Sequence, residues 1–419
     1  MQLSLVGINH QTAPIAIREK AAINYEKLSD ALLLLRSYIP KGIILSTCNR
    51  TELYAIDSNE CNAEKVCMEF LKSRIDVSNK DLPRHIYVYK DREAIEHLFR
   101  VAGGLESMIV GEFEILGQVN QALDIAEKVE MVNLPLRQFF QSAIQTGRRI
   151  RTETEISKNA LSISSVAVDY AADIIGDLAK CKVLVIGTGE AGRLVAKIAR
   201  ERGTSRIIIA GRTEERASAI ATPFNGIPVS LDNLADELIN TNMVVTCAGA
   251  PHRILDVQQV EKVMKRRPQL PLVIIDIALP RNVAPEVGQI QNVFLHNIDD
   301  LTKVTHLNRR RREAEIIQAE EIIKIETDKF LSRWQLLDTR SMVSALMSKA
   351  EEIRLAQLHK TLKKLRPLSD EEHERLDSMT RSIVSKILKD PIHYIKANKN
   401  NNQAEVVKEL FQLYMEEHP

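Results

Sequence analysis

The first ninety residues alternate between short apolar runs and longer segments in which apolar side chains recur every three or four positions. The apolar runs predict strands, and the periodic segments predict amphipathic helices. In chain order these pieces are LSLVGI, YEKLSDALLLLRSYI, GIILS, ELYAI, AEKVCMEFLKSRI and HIYVY. The order strand, helix, strand, strand, helix, strand predicts a split βαβ unit with its helices on one face of the sheet.

The pattern changes three times after this unit. From Asp91 it is helical, and from Lys182 the apolar runs KVLVIG, RIIIAG, MVVTCAG and LVIIDIA alternate with helical segments. That alternation predicts a parallel sheet with helices on both faces. After Asp299 only helical periodicity remains, with a long amphipathic helix through residue 338 and two or three more behind it. The apolar stripe of this tail needs a partner surface, so we expect it to oligomerise.

We therefore expect a multidomain protein of mixed α+β and α/β class, because 419 residues are too many for one compact core. The expected parts are a split βαβ catalytic domain (1–155), a linking helix (156–180), a Rossmann-type domain (181–298) and an all-helical dimerisation domain (299–419). No apolar run is long enough to span a bilayer, and MQLSLVGINH lacks the basic start and apolar core of a secretory signal. We expect a cytoplasmic protein that does not bind membranes.

The glycine-rich loop after KVLVI predicts a dinucleotide site. Gly187 allows a tight turn, Gly189 lets the backbone approach a pyrophosphate, and Gly192 permits close packing of helix against strand. The helix that opens there directs its N–H groups and positive dipole end at the phosphates. We expect the cofactor to contact the whole loop, which comprises Gly187, Thr188, Gly189, Glu190, Ala191 and Gly192.

The end of the second strand of this domain indicates which dinucleotide binds. NAD sites usually carry an acidic residue there, whereas RIIIAG is followed by Arg212 and Thr213, with Arg216 one turn later. A guanidinium and a hydroxyl suit a 2′-phosphate, so NADPH is favoured. Arg216 is equally well explained as an exposed helix residue, and Arg212 is the stronger candidate.

The five cysteines are odd in number and include no CxxC pair, which predicts a reducing compartment, no disulfide framework and no metal site. Cys48 is unusual because STCNRTE places it among Thr47, Asn49 and Arg50 at a turn after a strand. A thiolate nucleophile needs partial exposure, hydrogen-bond donors and positive charge nearby. The alternative is a small apolar residue at a strand end. A nucleophilic cysteine beside a nicotinamide fold would form a thioester that hydride reduces to an aldehyde.

These segments together resemble the glutamyl-tRNA reductase family over essentially the whole chain. The resemblance is carried by GINHQTAP, LSTCNRTELY, HLFRVAGGLESMIVGE, ILGQV, RIRTETEI, GTGEAG and DIALPRNVAPEV. It implies NADPH-dependent reduction of glutamyl-tRNA(Glu) to glutamate-1-semialdehyde with release of the tRNA, the first step of tetrapyrrole synthesis from glutamate. It also implies a homodimer joined through the C-terminal helices and a transient complex with glutamate-1-semialdehyde aminomutase.

The resemblance assigns roles to individual residues. Cys48 is implied as the nucleophile and His97 as a histidine important for activity, although a lone helical histidine more often caps a carbonyl. His10 is read as structural. The implied substrate contacts are Thr47, Asn49, Arg50, Ser107, Glu112, Phe113, Glu114 and Gln118. Arg50 suits the side-chain carboxylate of the substrate because its guanidinium binds carboxylates bidentately. Glu114 stands where the family usually has glutamine, and a carboxylate only accepts hydrogen bonds.

The net charge of +1 does not by itself indicate a nucleic-acid partner, so tRNA would have to bind local basic patches. Three clusters are candidates, and each is also an ordinary solvated helix face: Arg148, Arg149 and Arg151; Lys265, Arg266 and Arg267; Arg309 to Arg312. The first is favoured because it adjoins the expected catalytic domain. Two other functions fit parts of the chain. One is a shikimate-dehydrogenase-like enzyme acting on a free small molecule, which would not use Cys48, and the other is a non-enzymatic scaffold that binds NADPH and tRNA.

Overall fold

The computed structural model describes residues 2–57, 62–75, 82–158, 161–301, 312–365, 368–397 and 410–411. These residues form two compact units. The first comprises Gln2–Ile56 with Ala63–Glu326, and the second is built mainly from the chain that begins at Thr327. Among the described residues no helix is both long and apolar enough to cross a bilayer.

The N-terminal part of the first unit is the predicted split βαβ arrangement. Its four strands are antiparallel in the order β2-β3-β1-β4, so β3 separates β1 from β2. The strands are β1 (Leu3–Asn9), β2 (Gly42–Ser46), β3 (Arg50–Ile56) and β4 (Tyr87–Lys90). The helices are α1 (Ile15–Ala21), α2 (Tyr25–Arg36), α3 (Ala63–Arg74) and α4 (Leu82–His85). The pattern did not predict α1 and α4, because a helix of seven or four residues is too short to show helical periodicity.

The predicted helical region follows directly. It consists of α5 (Asp91–Ala102), α6 (Glu114–Lys128), α7 (Leu134–Glu153) and α8 (Ile163–Ile175). Asn133 caps α7, and Ser162 forms a reciprocal capping box with Ser165 at the start of α8. Gly147 lets α7 pack closely on α5, since a Cβ there would lie 2.6 Å from the carbonyl oxygen of Ala102.

The predicted parallel sheet is present and has six strands in the order β10-β9-β8-β5-β6-β7, with helices on both faces. The strands are β5 (Lys182–Ile186), β6 (Arg206–Gly211), β7 (Ile227–Ser230), β8 (Met243–Thr246), β9 (Leu272–Asp276) and β10 (Val293–Asn297). The helices are α9 (Glu190–Glu201), α10 (Glu214–Ala221), α11 (Leu234–Ile239) and α12 (Val257–Arg266). The strand order reverses between β5 and β8, which is where doubly wound sheets bind ligands. The edge strands β7 and β10 escaped prediction because IPVS and VFLHN are short and interrupted by proline or polar residues.

From Glu313 onward the described chain is mainly helical, as predicted, but its division into helices differs from the prediction. A single helix, α13 (Glu313–Leu362), continues well past residue 338, and α14 (Asp370–Ala397) follows it. The expectation of a break was wrong because residues 313–362 contain neither glycine nor proline. Met342 and Leu346 pack with Leu388 and Ile395 to form a small core between α13 and α14.

Candidate active site

The turn between β2 and β3 presents Cys48. Ser46 pairs with Thr51 across the hairpin, which leaves Thr47 to Asn49 as the turn. The hydroxyl oxygen of Thr47 accepts hydrogen bonds from the backbone N–H groups of Asn49 and Arg50, at 3.1 and 3.2 Å. The backbone N–H of His10 donates to the carbonyl oxygen of Asn49 at 2.9 Å. The turn therefore has one well-defined conformation.

A narrow pocket lies beside this turn, and most of the catalytic and substrate-binding residues predicted from the sequence line it. Its lining comprises Thr47, Cys48, Asn49, Arg50, Ser107, Glu112, Glu114, Ile115, Gln118 and Ile163. They come from the β2–β3 turn, the loop before α6, α6 itself and the first residue of α8. Of the predicted catalytic and substrate-binding residues, His97 and Phe113 do not line the pocket. Phe113 is 59% exposed, and the guanidinium of Arg151 lies 5.4 Å from its ring centroid.

Buried polar atoms point to a polar ligand for this pocket. Asn49 Oδ1 and Arg50 Nε are buried without a hydrogen-bond partner among the described residues, and Ser107 interacts only with the carboxyl of Glu112. Buried polar groups are normally paired, because leaving one unpaired costs roughly 1–3 kcal/mol. Two unpaired atoms in one pocket lining indicate that a polar ligand completes their hydrogen bonds.

Arg50 is held by a carboxylate that the sequence analysis did not single out. Its Nη1 donates to Glu52 Oε1 at 2.9 Å, and its Nη2 donates to the carbonyl oxygen of Glu106. Glu52 is fully buried and also accepts from Tyr54 and Tyr87, each at 2.6 Å. Burial alone would raise the pKa of Glu52, but the charges of Arg50 and His97 and these hydrogen bonds hold it well below its usual range. The guanidinium of Arg50 is thus fixed in place, and Nε is its nitrogen that remains for a ligand.

His97 belongs to the same network and does not line the pocket. Its Nε2 lies 2.8 Å from Glu52 Oε1, and the rings of Tyr87 and Tyr89 pack against it. His97 therefore orients Glu52, which in turn orients Arg50. From the sequence alone, a glutamate in a strand is expected to be a surface residue. The contacts of Glu52 with Arg50, His97 and two tyrosines show instead that it holds the guanidinium of Arg50 in place.

The electrostatic surroundings of Cys48 keep its thiol protonated. Burial raises its pKa first, the charges of Glu112 and Glu114 raise it further, and Arg18 opposes them, which gives a value of about 12. Arg18 supplies positive charge beside Cys48, but burial and the two carboxylates outweigh its effect on the pKa of the thiol. Burial also raises the pKa of Glu112 to about 7, with Glu114 adding to the effect. A nucleophilic Cys48 needs a proton acceptor, and Glu112 titrates at a pH that suits this task.

The loop between β5 and α9 fits a dinucleotide. Gly187 has φ +139°, and a Cβ on Gly192 would lie 2.1 Å from the carbonyl oxygen of Gly187. Gly189 is the N-cap of α9, and a Cβ there would meet nothing within 4 Å, which leaves room for phosphates at the helix N-terminus. Thr188 lies against Gly211, Glu190 pairs with Arg193, and the carbonyl oxygen of Ala191 accepts from Ser164.

At the end of β6, Arg212 and Thr213 are exposed. The hydroxyl oxygen of Thr213 accepts from the backbone N–H of Arg216 and caps α10. The guanidinium of Arg212 lies 3.7 Å from Glu26 of α2. Arg212 is thus available to an anion at the edge of the cofactor loop, while Arg216 is an exposed helix residue.

The basic clusters are mostly occupied by internal contacts. Arg149 pairs with Glu153 and Glu326, while Arg151 donates to the carbonyl oxygen of Glu112. Arg267 is buried, and its guanidinium donates to the carbonyl oxygens of Leu238, Thr241 and Pro271. The guanidinium groups of Arg149, Arg151 and Arg267 are therefore engaged within the chain. Arg148, Lys265 and Arg266 are exposed, while Arg309, Arg310 and Arg311 lie outside the described residues. Arg312 donates to the carbonyl oxygens of Ile156 and Lys158.

Within the described ranges no group of three His, Cys, Asp or Glu side chains is placed to hold a metal ion. The side chains that the pocket itself offers for chemistry are those of Cys48, Glu112 and the other lining residues.

Comparison with known proteins covers the whole chain. Residues 6–154 match the family model "Glutamyl-tRNAGlu reductase, N-terminal domain", residues 169–304 match "Shikimate / quinate 5-dehydrogenase", and residues 318–413 match "Glutamyl-tRNAGlu reductase, dimerisation domain". The glutamyl-tRNA reductase of Carboxydothermus hydrogenoformans is 39% identical over 99% of this chain and 94% of its own length. That of Thermodesulfovibrio yellowstonii is 36% identical over all of both chains. The solved glutamyl-tRNA reductase of Methanopyrus kandleri is 34% identical, covers 98% of this chain and 99% of its own, and superposes with a TM-score of 0.51.

Proposed function

The chain belongs to the glutamyl-tRNA reductase family, and on that premise we propose that it reduces glutamyl-tRNA(Glu) to glutamate-1-semialdehyde and releases the tRNA. This reaction is the first step of tetrapyrrole synthesis from glutamate. The observation that carries the proposal is the pocket in which Cys48 lies among seven polar or charged residues suited to a glutamyl group. The shikimate-dehydrogenase alternative applies to the cofactor domain alone, since that match is confined to residues 169–304.

In the first half of the reaction Cys48 attacks the ester carbonyl that joins glutamate to the tRNA. The sulfur–carbon bond forms, the bond to the 3′-terminal ribose oxygen breaks, and a thioester remains on the enzyme. The thiol proton passes to Glu112 and from there to the departing ribose oxygen, so the protons balance. Asn49, Ser107, Gln118 and the Nε of Arg50 orient the glutamyl group by completing their hydrogen bonds with it.

In the second half the thioester is reduced. NADPH supplies the hydride when it is bound. Residues Gly187 to Gly192 hold its pyrophosphate, and Arg212 with Thr213 hold its 2′-phosphate, because the strand end lacks the acidic residue that NAD sites use. The carbon–sulfur bond then breaks, the aldehyde leaves, and the Cys48 sulfur takes a new proton from solvent through Glu112. His97 and Glu52 act as positioning residues that fix Arg50.

We further propose the expected division of the chain into a catalytic domain (1–155), a linking helix (156–180), a cofactor domain (181–298) and a dimerisation domain (299–419). The match of residues 318–413 to a dimerisation domain supports a homodimer. The product is a reactive aldehyde, so a transient complex with glutamate-1-semialdehyde aminomutase would protect it during transfer. We propose that the enzyme works in the cytoplasm, where charged tRNA and NADPH are found.

The proposal is tested with glutamyl-tRNA that carries labelled glutamate. The wild-type protein without NADPH should acquire acid-stable label and release it as aldehyde once NADPH is added. Cys48→Ser should do neither, whereas Cys67→Ala, which removes another thiol buried in α3, should behave as wild type. Equal aldehyde production by Cys48→Ser would contradict the thioester mechanism.

A further inference from the structure

Two consecutive residues of α1 connect the Cys48 pocket to the parallel-sheet domain. Arg18 is 1% exposed, and its guanidinium donates to the carbonyl oxygens of Ala13 (3.2 Å) and Cys48 (2.9 Å) and to the carboxylate of Asp299. Asp299 lies directly after β10. Arg18 therefore ties the backbone of the nucleophile itself to the end of the parallel sheet.

The next residue, Glu19, forms hydrogen bonds with the same domain at the edge of the sheet where ligands bind. Glu19 Oε1 accepts from the backbone N–H and from the Nε of Arg281, at 2.8 and 2.6 Å, and Oε2 accepts from Nη2 at 2.8 Å. Arg281 lies in the loop that follows β9, at the carboxyl end of the parallel strands, where such sheets bind their ligands. Three charge-assisted bonds in one bidentate geometry make this a strong and specific contact.

An electrostatic interaction between Glu114 and Glu190 links the Cys48 pocket to the cofactor loop. Burial raises the pKa of Glu114 first, and the charge of Glu190 then raises it further. Glu114 lines the Cys48 pocket and Glu190 belongs to the cofactor loop, so a charge on the loop acts on a side chain of the pocket. Asn24 adds a weaker contact to the carbonyl oxygen of Gly249, at 3.4 Å.

We propose that Glu19 and Arg281, with Arg18 and Asp299, form a clamp that positions the cofactor domain over Cys48 for hydride transfer. The clamp is a set of positioning residues and touches no reacting atom. This inference rests on the proposed function. Within the clamp, Arg18 also contacts the backbone of Cys48, whereas Glu19 does not. We therefore expect thioester formation on Cys48 to be independent of Glu19 and reduction of the thioester to depend on it.

The test measures the two halves separately. Label transfer from glutamyl-tRNA to the protein without NADPH reports the first half, and single-turnover release of labelled aldehyde after NADPH addition reports the second. Glu19→Gln and Arg281→Gln should each slow the second half about tenfold and leave the first unchanged within about twofold. The double variant should be no slower than the worse single variant, because both substitutions remove the same contact.

A matched control uses another bidentate pair. Asp169 accepts from Arg202 at 2.7 and 2.9 Å and joins α8 to α9, away from α1. Asp169→Asn should leave both halves unchanged. The clamp is overturned if Glu19→Gln slows both halves equally, if it slows neither, or if the Glu19 and Arg281 effects add. Failure of the proposed function looks different, because then even the wild-type protein takes up no label at Cys48.

Discussion

At the scale of single residues, the protonated thiol of Cys48 makes Glu112 the critical partner. Its pKa of about 7 means that the carboxyl holds its proton well above its usual range and ionises only near neutrality. The rate of thioester formation should therefore rise with pH and level off above about pH 7. In Glu112→Gln this inflection should disappear and the plateau rate should fall about 100-fold. The measurement is the pH profile of label transfer without NADPH.

Glu114→Gln provides the comparison for that profile. Since the charge of Glu114 raises the pKa of Glu112, its removal should move the inflection to lower pH and keep it visible. An unshifted inflection in Glu114→Gln, or an intact one in Glu112→Gln, would show that another group accepts the thiol proton.

Glu52 is the residue whose loss should cost the most stability. It is buried and accepts hydrogen bonds from Arg50, Tyr54, Tyr87 and His97, so Glu52→Gln leaves the Arg50 charge without its counter-ion. We expect a loss of about 3 kcal/mol in the free energy of unfolding at pH 7, measured by urea denaturation. His97→Gln, which keeps a hydrogen-bond donor, should cost much less.

The sign of the pH effect follows from the depressed pKa of Glu52. A carboxyl whose folded pKa lies below its unfolded value stabilises the protein at pH values above the unfolded pKa, and this contribution is lost as the pH falls below it. The stability difference between wild type and Glu52→Gln should therefore shrink between about pH 5 and pH 3. A difference that stays constant over this range would contradict a charged Glu52.

At the scale of the elements, two glycines of the cofactor loop should differ in what their substitution affects: one the stability of the fold, the other the affinity for the cofactor. Gly192→Ala places a Cβ 2.1 Å from the carbonyl oxygen of Gly187, so it should destabilise the protein even without cofactor. Gly189→Ala places its Cβ in open space and should leave the melting temperature unchanged while it weakens NADPH binding at least tenfold, or about 1.4 kcal/mol. Thermal melts and equilibrium binding of NADPH distinguish the two. Normal NADPH affinity in Gly189→Ala would mean that the pyrophosphate does not approach this backbone.

The same scale shows what a sequence pattern can and cannot predict. The inner strands of the parallel sheet, the antiparallel sheet and the glycine-rich loop followed from periodicity and glycine spacing, because these features are local. Most of the pocket lining followed from the family resemblance instead. Glu52 was missed because two of its four partners, Tyr87 and His97, lie 35 and 45 positions away from it. The contact between Glu19 and Arg281 was missed because it spans 262 positions. The break expected within α13 was an error of another kind, since nothing in residues 313–362 interrupts a helix.

At the scale of the whole molecule, the second unit leaves an apolar groove between α13 and α14. The groove is lined by Leu346, Ala350, Ile353, Val384, Ile387, Leu388, Leu410 and Phe411, among others. Ile353 is 55% exposed and Ile387 is 65% exposed, which is costly for branched aliphatic side chains unless another chain covers them. Because this region matches a dimerisation domain, the second copy of the chain is the partner that we expect there.

Ile387→Asp should therefore convert the dimer to a monomer in sedimentation velocity, because it would bury a charge in the interface. Ser385→Asp introduces the same side chain at an exposed position of α14 two residues away and should stay dimeric. Label transfer from glutamyl-tRNA should survive in the monomer, since the Cys48 pocket is built entirely from residues of the first unit. A dimeric Ile387→Asp protein would place the interface elsewhere on the helices. A monomer that had lost label transfer would show that tRNA needs both subunits, although the thioester chemistry needs one.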